Sequence, residues 1–375
     1  MKNKPLEQEI RNQPDYAILF SVLILAAFGL IMVFSASYIS SLETRNDAFF
    51  FLRRQAFWVV LGLVGMVLAS NFSYWKWRRL IPIMVVINFI LLGALFIPGV
   101  GVEVYDATRW ISLGGFTLQP SEFSKLVLVI FTASYLSKKN INMNNFWQSS
   151  FIPLVVMGVS FVMVLAQPDL GTAVALALVT GIVIFVAGIP VGQLFGLLLV
   201  SLPIVLYLAV SEPYRMRRIF SFLDPWADPL YSGYQIIQSL YALGPGGLFG
   251  VGLGRSRQKL YYLPEPQNDF IFAIIGEELG FIGAFTIMLL FFILIWRGLK
   301  TSIMAPDTFG SLLAAGMVSI VGAQALINIG VVTGSIPVTG INLPFISAGG
   351  SSLFFTMFAM GILMNISRYQ RGRGG

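Results

Sequence analysis

From Leu170 to Ser211, and again from Thr308 to Ser367, the chain runs without one charged side chain. Each stretch exceeds the roughly 20 apolar residues that one helix needs to cross a bilayer. Each also carries a break, Gly188-Ile189-Pro190 in the first and Gly334-Ser335-Ile336-Pro337 in the second. Charged residues make up 11% of the chain, against about 25% in a soluble domain, and hydrophobic ones make up 57%. Such a chain cannot cover itself with polar surface. It must fold in lipid, where only elements that satisfy their own backbone groups persist.

The pattern predicts an all-α, polytopic membrane protein, a single transmembrane domain over residues 1–375 with ten spans. They are Tyr16–Tyr38, Arg54–Phe72, Arg79–Ile97, Pro120–Ser137, Ser149–Ala166, Asp169–Gly188, Val191–Val210, Phe270–Trp296, Phe309–Val332 and Pro344–Ile366. Met1 to Asp15 mixes both charge signs, and the apolar run after it is too long for a secretory leader, so the first run is expected to stay as an anchor.

Orientation is read from Lys and Arg. With the N-terminus inside, the inner set is Lys2, Lys4, Arg11, Lys76, Arg78, Arg79, Lys138, Lys139, Arg297, Lys300, Arg368, Arg371 and Arg373. The short inner segments, Trp75 to Arg79 and Arg368 to Arg373, are almost purely basic, whereas the outer loops mix both signs. Both termini are therefore expected in the cytoplasm. The largest outer loop, 211–269, far exceeds the roughly 15 residues beyond which loops are functional or disordered. Its aromatics and the amphipathic Tyr234 to Tyr241 argue for structure at the membrane interface.

The chain has no cysteine and no histidine. Thiolate nucleophiles, imidazole bases and the usual zinc ligands are excluded, so acid–base chemistry falls to Asp, Glu, Lys or Tyr. Asp269, at the junction of the long loop with span eight, reads either as an N-cap or as a general base of raised pKa. Glu277 and Glu278 lie inside span eight, where ionisable groups are functional or paired, here with a loop arginine. Glu122 and Lys125 share one face of span four. Pro120 and Glu122 make an ordinary helix start, but Lys125 opposes the dipole and calls for an anion, Glu122 or a ligand phosphate. Arg109-Trp110 with Arg215, Arg217 and Arg218 form an outward basic set that suits either a pyrophosphate or lipid headgroups. Asp169 reads as a helix cap. The glycines of 244–254 lack the context of a phosphate loop, and the turn Gly349-Gly350-Ser351-Ser352 serves packing or meets an anion.

Five segments resemble the SEDS family (shape, elongation, division and sporulation): Arg109 to Gly114 with Gln119 to Leu126, Gln167 to Thr172, Leu263 to Gly280, Pro337 to Gly340, and Leu343 to Ser352. The resemblance spans nearly the whole chain, and Ser239 to Leu248 is similar to the division and sporulation branch. Ala348 departs from the pattern, standing where the family usually has tyrosine.

The resemblance implies a glycosyltransferase of the bacterial cytoplasmic membrane that polymerises lipid II at the outer face. It also implies a class B penicillin-binding protein as partner and a divalent cation, Mg or Mn, with unknown ligands; contact with membrane lipids is expected and with nucleic acid is not. It makes Asp269 the essential aspartate and places Arg109, Trp110, Glu122 and Lys125 in the outer cavity. On this reading Asp269 deprotonates the acceptor hydroxyl. Arg109, Arg215 and Lys125 hold the donor pyrophosphate, Glu122 helps a metal, and Arg217, Glu277 and Ser351 complete the substrate set. The competing expectations are a lipid II flippase, which would carry midplane charges or inverted repeats, and a scaffold that only recruits a penicillin-binding protein.

Overall fold

The computed structural model describes residues 12–370 apart from 105, 106, 115 and 261. Of the orienting basic residues, Lys2, Lys4, Arg11, Arg371 and Arg373 lie outside the described residues. In chain order the elements are α1 (Tyr16–Arg45), α2 (Phe50–Asn71), α3 (Trp77–Ala94), β1 (Gly101–Val104), β2 (Ala107–Leu113), β3 (Phe116–Leu118), α4 (Pro120–Leu136) and α5 (Phe146–Ser149). There follow α6 (Phe151–Leu165), α7 (Leu170–Val186), α8 (Val191–Val210), α9 (Pro213–Leu223), α10 (Tyr234–Leu243), α11 (Ile271–Ile303), α12 (Thr308–Val332) and α13 (Ser351–Ser367).

Each predicted span is helical over most of its length, as α1 to α4, α6 to α8 and α11 to α13. Of these, α1, α2, α3, α8, α11 and α12 are long and apolar enough to cross a membrane, while α6, α7 and α13 are shorter apolar helices. The central helix is α12, buried almost continuously from Phe309 to Ala325 against α11, α7, α4 and α13. Its opposite is α8, which buries none of its residues and turns Phe195, Leu199 and Tyr207 outward. Such an apolar face suits lipid and not water.

Three details depart from expectation. Between α3 and α4 the chain forms a three-stranded antiparallel sheet, β1-β2-β3, with Ile111 of β2 paired to both Gly101 and Leu118. Thr108, Trp110 and Ile111 favour a pleated surface, and the segment is too short and polar to span. Second, the tenth helix begins at Ser351, not Pro344, because Gly350 takes φ 54 and breaks the run. Third, the eighth continues past Trp296 to Ile303 and is interrupted at Gly280 (φ 66, ψ −164).

That interruption would strand backbone groups in apolar surroundings, a costly state. The loop after α10 repairs it. Val251 and Gly252 N–H donate to Glu277 and Glu278 carbonyls at 2.9 and 3.0 Å, and Phe281 and Ile282 N–H donate to Gly247 and Leu248 carbonyls at 2.8 and 3.1 Å. A Cβ on Gly280 would lie 2.3 Å from Gly250 N, so a side chain there would prise the loop away. The glycine run serves close packing.

One end of the bundle is tied shut by polar side chains. Arg297 Nε donates to Asp15 at 2.8 Å, and Asp15 N–H donates to Ser367 Oγ at 2.9 Å. Tyr74 and Trp75 both donate to Asp307 at 2.7 Å. Asn365 accepts from Tyr74 N–H and donates to the Ser70 carbonyl, each at 2.9 Å. The other end is open.

Candidate functional site

Where α2, α4, α7, α11 and α13 begin, a cavity of about 930 Å³ opens between the helix ends, the sheet and α9. Asp269 lies in its lining. The capping reading of this residue fails: Phe270 occupies the N-cap of α11, without a side-chain hydrogen bond. Asn328 holds the Asp269 backbone instead, donating to its carbonyl at 2.7 Å. The carboxylate packs against Gly340, whose Cβ would sit 3.5 Å from Oδ2. It accepts no hydrogen bond among the described residues. Burial, then the Glu265 anion, push its pKa up to about 6, while Arg218 and Arg109 oppose the rise and Asp169 adds to it. A carboxylate so tuned is ionised at neutral pH yet basic enough to take a proton.

Arg109 lines the cavity beside Trp110. It donates to the carbonyls of Gln167 (3.3 Å) and Pro168 and lies 3.9 Å from Asp169. Asp169 caps α7 as expected, accepting from Thr172 N–H at 3.1 Å and Thr172 Oγ1 at 2.8 Å. From α9 the cavity receives Arg218, not Arg215 or Arg217. Arg218 donates to the Val338 carbonyl at 3.3 Å, and its pKa is lowered by loss of solvent first and by Arg109 second. Arg215 is buried against its own helix start, donating to Tyr214 Oη at 2.8 Å and the Leu208 carbonyl at 3.0 Å, while Arg217, exposed like Arg218, lies outside the lining. Helical periodicity decides between them: of three nearby arginines only one meets the cavity.

Several expected residues stand back from it. Lys125, 2% exposed, donates to Glu122 at 2.7 Å. The pair lines a small adjoining pocket, which shares Gln119, Gly340 and Asn342 with the main cavity. Its anion is thus Glu122, the first of the two partners considered. Ser351 accepts from Gln119 N–H at 2.9 Å and joins the starts of α4 and α13. Glu277 is occupied by Arg257 N–H at 2.8 Å, Gln258 N–H at 3.4 Å and Ser256 Oγ. Its neighbour Glu278 accepts from Ser35 Oγ and Lys259 Nζ, each at 2.7 Å. The expected partner for these acids was a loop arginine; it is a loop lysine together with the loop backbone. Glu277 therefore anchors the loop and lies outside the cavity lining.

The lining also includes Arg54, Trp58, Asn342 and Ala348, of which only Ala348 falls within the family-like segments. Arg54 carried a signal, a cation at the edge of an apolar run. Asn342 and Trp58 carried none. No three carboxylates converge as a metal cage among the described residues.

A family model described as "Cell cycle protein", that of FtsW, RodA and SpoVE, matches residues 16–372. The chain is 49% identical over 362 residues to "Stage V sporulation protein E" of Bacillus subtilis (strain 168), covering 96% of this chain and 99% of that protein. It is 42% identical over 358 residues to "Probable peptidoglycan glycosyltransferase FtsW" of Geobacter sp. (strain M18), covering 96% and 98%. A solved structure, described as "Structural coordination of polymerization and crosslinking by a peptidoglycan synthase complex", superposes with a TM-score of 0.77 at 28% identity. It covers 95% of this chain and 99% of that one.

Proposed function

This chain belongs to the FtsW/RodA/SpoVE cell cycle protein family, and from that membership we propose that it is a peptidoglycan glycosyltransferase that polymerises lipid II. The observation that carries the proposal is the setting of Asp269, a carboxylate without a hydrogen-bond donor among the described residues, lining a large cavity with Arg109 and Arg218. Basic residues Lys76, Arg78, Arg79 and Arg368 gather at the opposite, closed end. By the positive-inside rule the cavity then opens outward and both ends of the chain lie in the cytoplasm.

In the reaction, the acceptor sugar's 4-hydroxyl oxygen bonds to the donor's anomeric carbon while the bond from that carbon to the diphosphate breaks. The hydroxyl proton passes to Asp269, and the lipid diphosphate leaves with the electron pair. Arg109 and Arg218 stabilise the departing charge. A divalent cation adds further neutralisation when bound. Such an ion would be held chiefly by the substrate's own phosphate oxygens; Glu122, the expected helper, is taken by Lys125, and Asp269 is kept for the proton. A class B penicillin-binding protein fits as partner, since the structural neighbour is a complex that couples polymerisation to crosslinking.

The test is purified protein in detergent with labelled lipid II, with and without EDTA. Glycan strands are expected from the wild-type chain and none from Asp269→Asn. A flippase makes no strands without a membrane, so a wild type that yields none overturns the proposal.

A further inference from the structure

The closed end of the bundle carries positive charge that the chain itself does not answer. Lys76, Arg78 and Arg79 stand at the start of α3, Lys138 and Lys139 follow the end of α4, and all five are exposed. The two segments adjoin, because Arg78 donates to Ser137 Oγ at 3.0 Å. Neither has an acid close in sequence: the chain holds no Asp or Glu from Phe72 to Val102 or from Phe123 to Pro168. The carboxylates that do reach this end are occupied, Asp15 by Arg297 and Asp307 by Tyr74 and Trp75. Among the described residues no ion pair includes any of the five cations.

Beyond the cations the surface turns apolar. α3 and α6 both start at this end, and Asn88 of α3 donates to Ser160 Oγ of α6 at 3.4 Å. Each helix shows aliphatic side chains outward, Ile83, Val86 and Ile90 on α3 and Val155, Val159 and Val162 on α6. Aromatics mark the level between charge and hydrocarbon. The Tyr135 ring lies 5.0 Å from Lys138 Nζ, and its hydroxyl donates to the Gln148 carbonyl at 3.0 Å. That bond brings α5 to the corner, where Trp147, 67% exposed, rests on Phe151 with ring centroids 4.8 Å apart. Tyr and Trp settle at the headgroup level of a bilayer.

Cations, then aromatics, then branched aliphatics follow the order of a phospholipid from headgroup to acyl chain. An acidic protein segment would answer the charge but not the aliphatic faces that lead from it into the hydrocarbon. We infer that this corner is a binding site for an anionic phospholipid of the leaflet at the closed end, its phosphate among Arg79, Lys138 and Lys139 and its chains along α3 and α6. Each Lys or Arg near an anionic membrane surface strengthens binding by about fivefold, so the set selects anionic over zwitterionic headgroups. The corner lies at the far end of α4 from the cavity, and the inference holds whatever reaction the cavity performs.

The experiment titrates the full chain, purified in detergent and stripped of lipid, with phosphatidylglycerol, diphosphatidylglycerol or phosphatidylcholine, and counts bound lipid by native mass spectrometry. Both anionic lipids are expected to bind roughly tenfold or more tightly than phosphatidylcholine. Lys138→Gln and Arg79→Gln should each weaken anionic binding by about fivefold and together by about 25-fold. Phosphatidylcholine binding should not move, and Lys138→Arg should stay near wild type. These side chains are exposed, so the variants keep the fold. Lys300→Gln is the control, removing an exposed cation from α11, which packs against α1 and α12. Equal affinity for anionic and zwitterionic lipid overturns the inference and leaves the cations to an acidic protein partner. A loss in Lys300→Gln as large as in Lys138→Gln also overturns it, since the attraction would then belong to diffuse surface charge and not to a site.

Discussion

Asp269 and the pair Glu277-Glu278 bracket the same half-helix of α11, yet their surroundings are opposite. Glu278, fully buried, is met by Ser35, Lys259 and Ser256 N–H, and Glu277 by Ser256 and two further loop N–H groups. Their lone pairs are filled by protein. Asp269 has two arginines near enough to act on its charge but no hydrogen-bond donor among the described residues. A carboxylate satisfied by its own chain holds structure together; one left open in a cavity is available to substrate.

The sharpest way to break this contrast is Asp269→Asn. Loss of a general base should cost about 10²- to 10⁴-fold in polymerisation rate. The unfolding temperature should hold or rise, because this acid's pKa is raised on folding and its ionised form opposes the fold. Unfolding at markedly lower temperature would put Asp269 in the structural class.

Lys259→Met is the converse. It leaves Glu278 charged, buried and without its cation, a change of about 3–5 kcal/mol, so the unfolding midpoint should fall well below wild type. Adding Glu278→Gln should recover much of the loss. Polymerisation per folded molecule should survive better than in Asp269→Asn; the reverse ranking would break the comparison.

The pH profile separates the acids further. With Asp269 at about 6, activity should rise as pH passes upward through about 6 and then level. The sign for stability is opposite: a carboxyl with a raised folded pKa supports the fold at low pH and loses that support as pH rises through about 6. A pH–rate profile without an acid limb in that region would remove the base role.

The smallest effect is a displacement of that limb. Arg218 lowers the Asp269 pKa and Asp169 raises it, so Arg218→Gln should move the limb to higher pH and Asp169→Asn to lower pH. Limb positions in pH–rate curves are the measurement, since both variants also change activity at the plateau. Movement in one common direction would contradict the geometry.

Much of the fold was legible because its causes are local. Apolar length and the glycine–proline breaks place the helices, and Asp169 caps α7 because the residue type and the following apolar run require it. The candidate site was legible in part. Arg109 and Asp269 line the cavity, and the resemblance had already singled them out. Glu277 and Lys125 looked functional as ionisable groups inside spans, and Arg215 as one of an outward basic set, yet each is satisfied by its own neighbours. Trp58 was invisible as a site residue, because an aromatic in a span reads as packing.

By itself, the order of residues determined that this chain is a helical bundle for lipid, because helix length and backbone hydrogen bonding in a bilayer depend on contiguous composition. The missing histidine and cysteine likewise restricted its acid–base chemistry in advance. Only the tertiary structure decided which ionisable groups meet the cavity. A charge is spent or available according to partners far away in the chain, as Ser35 and Lys259 are to Glu278 and Gly350 is to Trp58, and no local pattern contains those distances.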